Sequence, residues 1–252
     1  MRKNLKVMKD AAKAGTEKEV YSLSGLIGGD GHRLNNYAKN KKTLTGRATN
    51  IAMAMALASS EVNASMGKIV ACPTAGSCGI LPAVILAAGE VLELSEDEMI
   101  NGLLAASAVG MIIGMNATLS GAEGGCQAEC GSASAMGAAA VVELMGGTPK
   151  MSLDAGSIIL QNVLGLVCDP VAGLVEIPCA KRNAQGAITA LCTADMVMAG
   201  VEAKIPFDDA VEAMYKVGKS LPSALRETAM GGVAATKEGL RLKEKVFGKN
   251  NE

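Results

Sequence analysis

Two loops carry the residues most capable of chemistry. The first is Ser120-Gly121-Ala122-Glu123-Gly124-Gly125-Cys126-Gln127-Ala128-Glu129-Cys130-Gly131. The second runs from Cys168 to Asn183 and holds Asp169, Pro170, Gly173, Glu176, Pro178, Cys179, Lys181 and Arg182. Thiolates are strong nucleophiles and soft metal ligands. An irregular, glycine-bearing backbone can approach a metal–sulfur group closely and donate N–H bonds to its sulfur atoms. The chain has seven cysteines, with Cys72, Cys78 and Cys192 beside the four in these loops, and a single histidine, His32. One histidine excludes a three-His zinc site within this chain. The cysteine spacing matches no ferredoxin run and no zinc ribbon with paired C-x-x-C. Spacing alone does not choose between Cys126 and Cys130. Cys192 lies in the helical run Ala190-Leu191-Cys192-Thr193-Ala194 and reads as core, whereas Cys72 and Cys78 flank a loop and suit either role.

The groups around the thiols suit proton transfer and carboxylate binding. Glu123 and Glu129 are candidate bases, because a carboxylate near an apolar metal-bearing site has its pKa moved toward neutrality. Both also suit the ordinary role of acid at a helix N-terminus. Lys181, counted with the catalytic candidates, and Arg182 and Asn183 follow Cys179 directly and offer donors for a substrate. A basic pair flanking a helix is equally a common solvated feature. Thr74 and Gly76, in the Pro73–Ser77 loop, and Ser120 supply further donors. His32 follows Gly28-Gly29-Asp30-Gly31 and reads as a surface-loop histidine.

Helices must position these loops. Residues 1–20 read as a charged helix, followed by a turn-rich break from Ser22 to Asp30. Helices are expected over 46–66 and 81–92, and from Glu96, where Ser95-Glu96-Asp97-Glu98 forms a capping box with Leu94 and Met99 as a hydrophobic staple. A small-residue helix then runs to Met145, and Gly146-Gly147-Thr148-Pro149 ends it. Further helices are expected over 152–166 and 183–201. Phe207, Ala210, Val211, Met214 and Val217 fall at helical spacing, and Pro222 stops that helix. Residues 237–252 form a charged tail. The chain thus reads as one all-α domain, 1–252, of roughly ten helices.

Composition excludes several functions. Lys+Arg 24 against Asp+Glu 25 removes the electrostatic case for nucleic acid. Only 2% aromatic residues and no Trp leave no stacking platform for bases or sugars. The 41 alanines and 30 glycines suit closely approaching helices more than a β-sheet. The N-terminal segment is charged through Glu19 and lacks an apolar signal core, so a cytoplasmic setting is expected. Residues 101–122 carry no charge and are long enough to span a bilayer. Their glycine content and capped start instead suggest the buried central helix of a globular protein, with no membrane partner.

Three segments resemble the iron–sulfur-dependent L-serine dehydratases, and specifically the α chain of the two-subunit bacterial form. They are Pro73–Ser77, Ser120–Gln127 and the long, specific run Gly165-Leu166-Val167-Cys168-Asp169-Pro170-Val171-Ala172-Gly173-Leu174-Val175-Glu176-Ile177-Pro178-Cys179. The likeness extends from about Ser22 to Gly248. It implies a [4Fe–4S] cluster held by Cys126, Cys168 and Cys179, with one iron open to L-serine. It places Cys72, Cys78, Cys130 and Cys192 outside the ligand set. An N-terminal stretch of the family is missing before Met1, and the family's β domain is absent. A separate β chain is therefore expected as partner, docking on an apolar Met- and Ala-rich face near residues 51–66.

Other readings compete. A small-residue membrane carrier would use the uncharged 101–122 stretch. A pyridoxal-phosphate deaminase would use 121–131 as a phosphate cup, but no lysine lies between Lys68 and Lys150 to form its Schiff base. A non-catalytic scaffold would keep the fold without the cluster.

Overall fold

The computed structural model describes residues 1–248. Among these the chain is all-α, with eleven helices and no strand. In order they are α1 (Arg2–Glu17), α2 (Asp30–Asn40), α3 (Gly46–Ala64), α4 (Ile80–Val91), α5 (Glu96–Asn116), α6 (Gly121–Gly124), α7 (Ser132–Leu144), α8 (Pro149–Val163), α9 (Cys179–Met198), α10 (Phe207–Ser220) and α11 (Lys237–Phe247). The expected 237–252 tail is helical through Phe247; residues 249–252 lie outside the described residues.

Local sequence explains several boundaries. Ser95 Oγ accepts from the Glu98 amide at 3.3 Å, while the Glu98 carboxylate accepts from the Ser95 amide at 2.7 Å. That is the reciprocal capping box, and it starts α5. Thr148 caps α8 in the same manner, with Pro149 at the first helical position, where its missing N–H costs nothing. In α10, Phe207, Ala210, Val211, Met214 and Gly218 form one buried stripe.

The centre of the molecule is α7. Every residue from Ser132 to Val142 is buried, and the side chains are almost all Ala, Ser, Gly or Val. Such a rod lets α4, α5, α8 and α9 approach from all sides. A second hub is α3, flanked by α1, α2, α4 and α9. At its middle, Ala58 is crossed so closely that a Cβ on Gly31 of α2 would lie 2.7 Å from the Ala58 nitrogen.

Several expectations are corrected. The central helix is α7, not α5: only 33% of the apolar window of α5 is buried, and Leu104, Met111 and Met115 are exposed along it. By length and composition alone α5 could cross a membrane; in this fold one side of it packs on α7. The 51–66 segment is not an open apolar face, because Ala52, Ala54, Ala56, Leu57, Ala58 and Val62 are buried against neighbouring helices. Residues 30–40 form α2, so His32 is helical, and its Nδ1 lies 3.0 Å from the Thr16 carbonyl oxygen. The turn-rich 120–131 segment is partly helical, and α8 and α9 begin three and four residues earlier than the spacing suggests. Cys192 is on α9 but exposed rather than core.

Candidate metal centre

Four chain segments converge on one end of α7. Gly121 opens the short α6, whose turn ends at Gly125 in the left-handed region (φ 76). Cys126 follows and leads through a π-helical turn, Gln127–Gly131, into α7. Gln127 is fully buried and ties this turn to its surroundings. Its amide group donates to the Met214 carbonyl at 2.9 Å and accepts from the Gly165 amide at 2.9 Å. The second segment is the Cys168–Cys179 loop, which ends at Pro178, the cap of α9, so that Cys179, Lys181, Arg182 and Asn183 occupy the first turns of that helix.

The third segment comes from near the C-terminus. The Cys168 amide donates to the Leu225 carbonyl at 2.9 Å, and the Glu227 amide donates to the Cys168 carbonyl at 2.7 Å. Asp169 accepts from the Val233 amide at 2.7 Å. On the other side Asp169 faces Arg182 as an ion pair at 2.9 Å, close but not aligned as a hydrogen bond. The fourth segment is the Thr74–Ser77 turn. Thr74 lies close enough to the Glu129 carboxylate to favour its charged form, and a Cβ on Gly76 would sit 3.4 Å from Glu129 Oε1.

The thiols at this convergence are buried: Cys126 is 3%, Cys168 4% and Cys179 8% exposed, and none is in a disulfide. The neighbouring Cys130 thiol, helped by the Arg182 charge, holds the Cys126 thiol below the ordinary range despite burial. Burial pushes Cys179 up to about 12, and burial followed by the neighbouring Cys126 and Glu129 pushes Cys168 up. Burial also raises Glu129, with Glu227 adding to the shift and Thr74 opposing it.

A metal–sulfur group fits this donor set. The three buried sulfurs lie near enough to feel one another's charge, with a guanidinium near two of them to balance negative charge. Gly121 leaves space at the thiols, since a Cβ there would lie 2.5 Å from Glu129 Oε2 and 3.0 Å from Cys168 Sγ. A bound metal would reverse the upward shifts of Cys168 and Cys179, because coordination deprotonates thiols outright.

The candidate residues separate into distinct groups. Cys126, Cys168, Cys179, Glu129, Thr74, Gly76 and Arg182 are brought together. Asn183 is adjacent but occupied: its side chain donates to the Gly76 and Cys179 carbonyls and accepts from the Gly79 amide, so it staples the turn to α9. Ser120 caps α6 without a side-chain hydrogen bond. Glu123 is exposed and bound by Thr118 Oγ1 at 2.6 Å. Lys181 is exposed and paired with Asp30 at 2.6 Å, on the α2 side. Cys72 and Cys78 point their thiols at the Val70 and Ser59 carbonyls. Glu227 was not foreseen. Its carboxylate, Glu129 and Cys168 Sγ bring one ligand atom each within 4.8 Å of one another. The only hint in the sequence is a polar Arg226-Glu227-Thr228 run after Pro222.

The family model described as "Serine dehydratase alpha chain" matches residues 1–234. The chain is 52% identical over 245 residues to the probable L-serine dehydratase, alpha chain, of Bacillus subtilis, covering 97% of this chain and 81% of the relative. It is 52% identical over 233 residues to the L-serine dehydratase, alpha chain, of Peptoniphilus asaccharolyticus, covering 92% and 80%. It is 45% identical over 181 residues to L-serine dehydratase TdcG of Escherichia coli, covering 71% of this chain but 40% of that longer protein.

Proposed function

The chain belongs to the serine dehydratase alpha-chain family, and we propose that it is the cluster-bearing chain of an L-serine dehydratase that converts L-serine to pyruvate and ammonia. The observation that carries this reading is the convergence of three buried thiols and a half-buried carboxylate from separate segments at one end of α7. Cys126, Cys168 and Cys179 would hold a [4Fe–4S] cluster. When bound with one iron open, that cluster supplies a Lewis acid for the departing serine hydroxyl.

The chain's own residues account for the rest. Glu129 takes the Cα proton of L-serine, because it is the carboxylate among the thiols and its proton affinity is raised by burial. Thr74, beside it, favours the charged form of that carboxylate. Arg182 lies near Cys126 and Cys179 and provides a fixed positive charge for the substrate carboxylate. Elimination leaves an enamine, which tautomerises to an imine and hydrolyses to pyruvate and ammonia in water. Glu123 and Lys181 serve as surface residues in this reading, and Asn183 as a staple.

A separate β chain covers the site. The relatives of similar length carry the name alpha chain, whereas the TdcG relative is far longer. Excluding water from a small amino acid needs such a cover. The test is anaerobic reconstitution with iron and sulfide, followed by an assay of pyruvate from L-serine with and without the β chain. Pyruvate formation that needs both the loaded chain and its partner is expected. No pyruvate from the loaded pair would overturn the reading.

A further inference from the structure

The chain has six arginines, and five of them meet an acid. Arg2 pairs with Asp97, Arg33 with Asp30, Arg47 with Glu90, Arg182 with Asp169 and Arg241 with Glu238. Arg226 is the exception. Among the described residues its side chain has no ion pair and no hydrogen bond, and its Nε is buried without a partner. The residue is half-buried rather than enclosed. Nε alone of its side-chain nitrogens is a buried, unpartnered atom, so the two Nη nitrogens stay open to an arriving group. Withdrawing part of a guanidinium from water without an acceptor costs free energy that an incoming anion can return.

The backbone fixes where this cation stands. Arg226 pairs with Cys168 in an isolated parallel bridge. The residues on either side of it, Leu225 and Glu227, make the two bonds to Cys168. Paired residues of adjacent extended segments lie about 4.8 Å apart. A few residues later the Val233 amide donates to Asp169 at 2.7 Å, and a Cβ on Gly232 would clash with that same carboxylate. The 225–233 stretch is thus pinned to two consecutive residues of the cysteine loop. Arg226 is held beside Cys168 by main chain, with no bond spent by its own side chain. Arg182 differs, because its Nη1 is already engaged by Asp169 and the Val167 carbonyl.

We propose that Arg226 binds the carboxylate of the amino-acid substrate directly, through paired hydrogen bonds from its Nη nitrogens, while Arg182 adds charge near Cys126 and Cys179. This inference rests on the serine dehydratase reading and extends it to a residue outside the cysteine loops. A small amino acid whose hydroxyl meets the thiol-bound group keeps its carboxylate only a few bonds away. The cation that grips it must therefore stand beside the cysteines, as Arg226 does. A planar guanidinium matches a carboxylate better than a point charge does. The consequence is selectivity for a free carboxylate over its amide. No covalent step is involved.

The test is calorimetric binding to the anaerobically loaded full chain with its partner. The ligands are L-alanine, which has no hydroxyl to lose, and L-alaninamide, in which a neutral amide replaces the carboxylate. Arg226→Gln is expected to weaken L-alanine about 30-fold, the loss of a charge-assisted contact, and L-alaninamide less than about threefold. Arg226→Lys recovers only part of the loss. In turnover, KM for L-serine rises and kcat changes less than KM. Without ligand, Arg226→Gln unfolds at no lower urea concentration than wild type, because the side chain has no bond to lose. Equal weakening of both ligands, or of neither, overturns the inference and leaves the dehydratase reading intact. So does a clear fall in the urea midpoint, or loss of the partner chain on gel filtration, which would place Arg226 at the interface instead. A loaded wild-type pair that forms no pyruvate from L-serine overturns the dehydratase reading itself.

Discussion

The region around Cys72 and Cys78 and the region around Cys126, Cys168 and Cys179 bury their thiols to the same degree, yet only one is arranged for chemistry. Cys72 is 6% and Cys78 1% exposed, much like the other three. Their thiols face backbone carbonyls, and burial is the leading cause that raises both, Cys78 to about 12. Around Cys126, by contrast, a second thiol, a guanidinium and a carboxylate all enter the electrostatics. Burial marks a cysteine as interior. Charged neighbours from distant segments mark it as a candidate ligand.

The largest effect that would break this contrast is loss of metal. Cys126→Ser, Cys168→Ser or Cys179→Ser should each abolish iron binding in anaerobically prepared protein, measured by iron analysis, while far-UV circular dichroism stays helical. Cys130→Ser is the graded case, because Cys130 neighbours Cys126 and influences its thiol without belonging to the proposed ligand set. Gly121→Ala comes next. Its methyl group would lie 3.0 Å from Cys168 Sγ and 2.5 Å from Glu129 Oε2. Reduced cluster occupancy and a fall in kcat of about a hundredfold or more are expected from displacing the base, with little change in helix content.

The quieter region holds one acid of interest. Glu61 on α3 is fully buried and accepts from the Asp30 amide at 2.6 Å, and burial raises its pKa from 4.5 to about 7. A raised folded-state value means the protonated form is favoured by folding. Its contribution is therefore present below pH 4.5 and is lost as pH rises through about 7. Glu61→Gln should flatten the stability profile over that window, by an amount on the order of 3 kcal/mol, in urea unfolding followed from pH 4.5 to 8. A wild-type profile that rises over that window would contradict the assignment.

The smallest effects complete the series. Cys72→Ala should keep full iron content and cost about 1 kcal/mol in the same unfolding assay. Cys192→Ser, at an exposed position, should change stability by less than about 0.5 kcal/mol. Iron loss in Cys72→Ala would dissolve the distinction between the two regions.

Much of this arrangement is written in local sequence. The Ser95 capping box, the Pro222 stop and the stripe of α10 need only short-range spacing, and the two cysteine loops announce themselves by composition. What stays hidden depends on distant residues. α2 contains Gly31, Asn35, Asn36 and Asn40, poor helix formers, and its N-terminus is satisfied by Glu61 from α3, 31 residues away. The exposure of α5 follows from α7 occupying the centre, which two similar apolar, small-residue helices do not reveal separately. Cys192 looks apolar in its run, but its face of α9 happens to point outward. Glu227 reaches Cys168 through a backbone pairing across 59 positions, and no periodicity signals it. Pro178 marked the start of α9 as openly as Pro149 marked α8, since proline favours the edge of a helix.

The central claim is that three separated cysteines act as one ligand set. Iron and inorganic sulfide analysis of the strictly anaerobic protein, with wild type beside Cys168→Ser and Cys72→Ala, tests it most directly. The expected result is about four iron and four sulfide per chain in wild type and in Cys72→Ala, and close to none in Cys168→Ser. Iron-free wild-type protein after supply of iron and sulfide, or full iron content in Cys168→Ser, would contradict it.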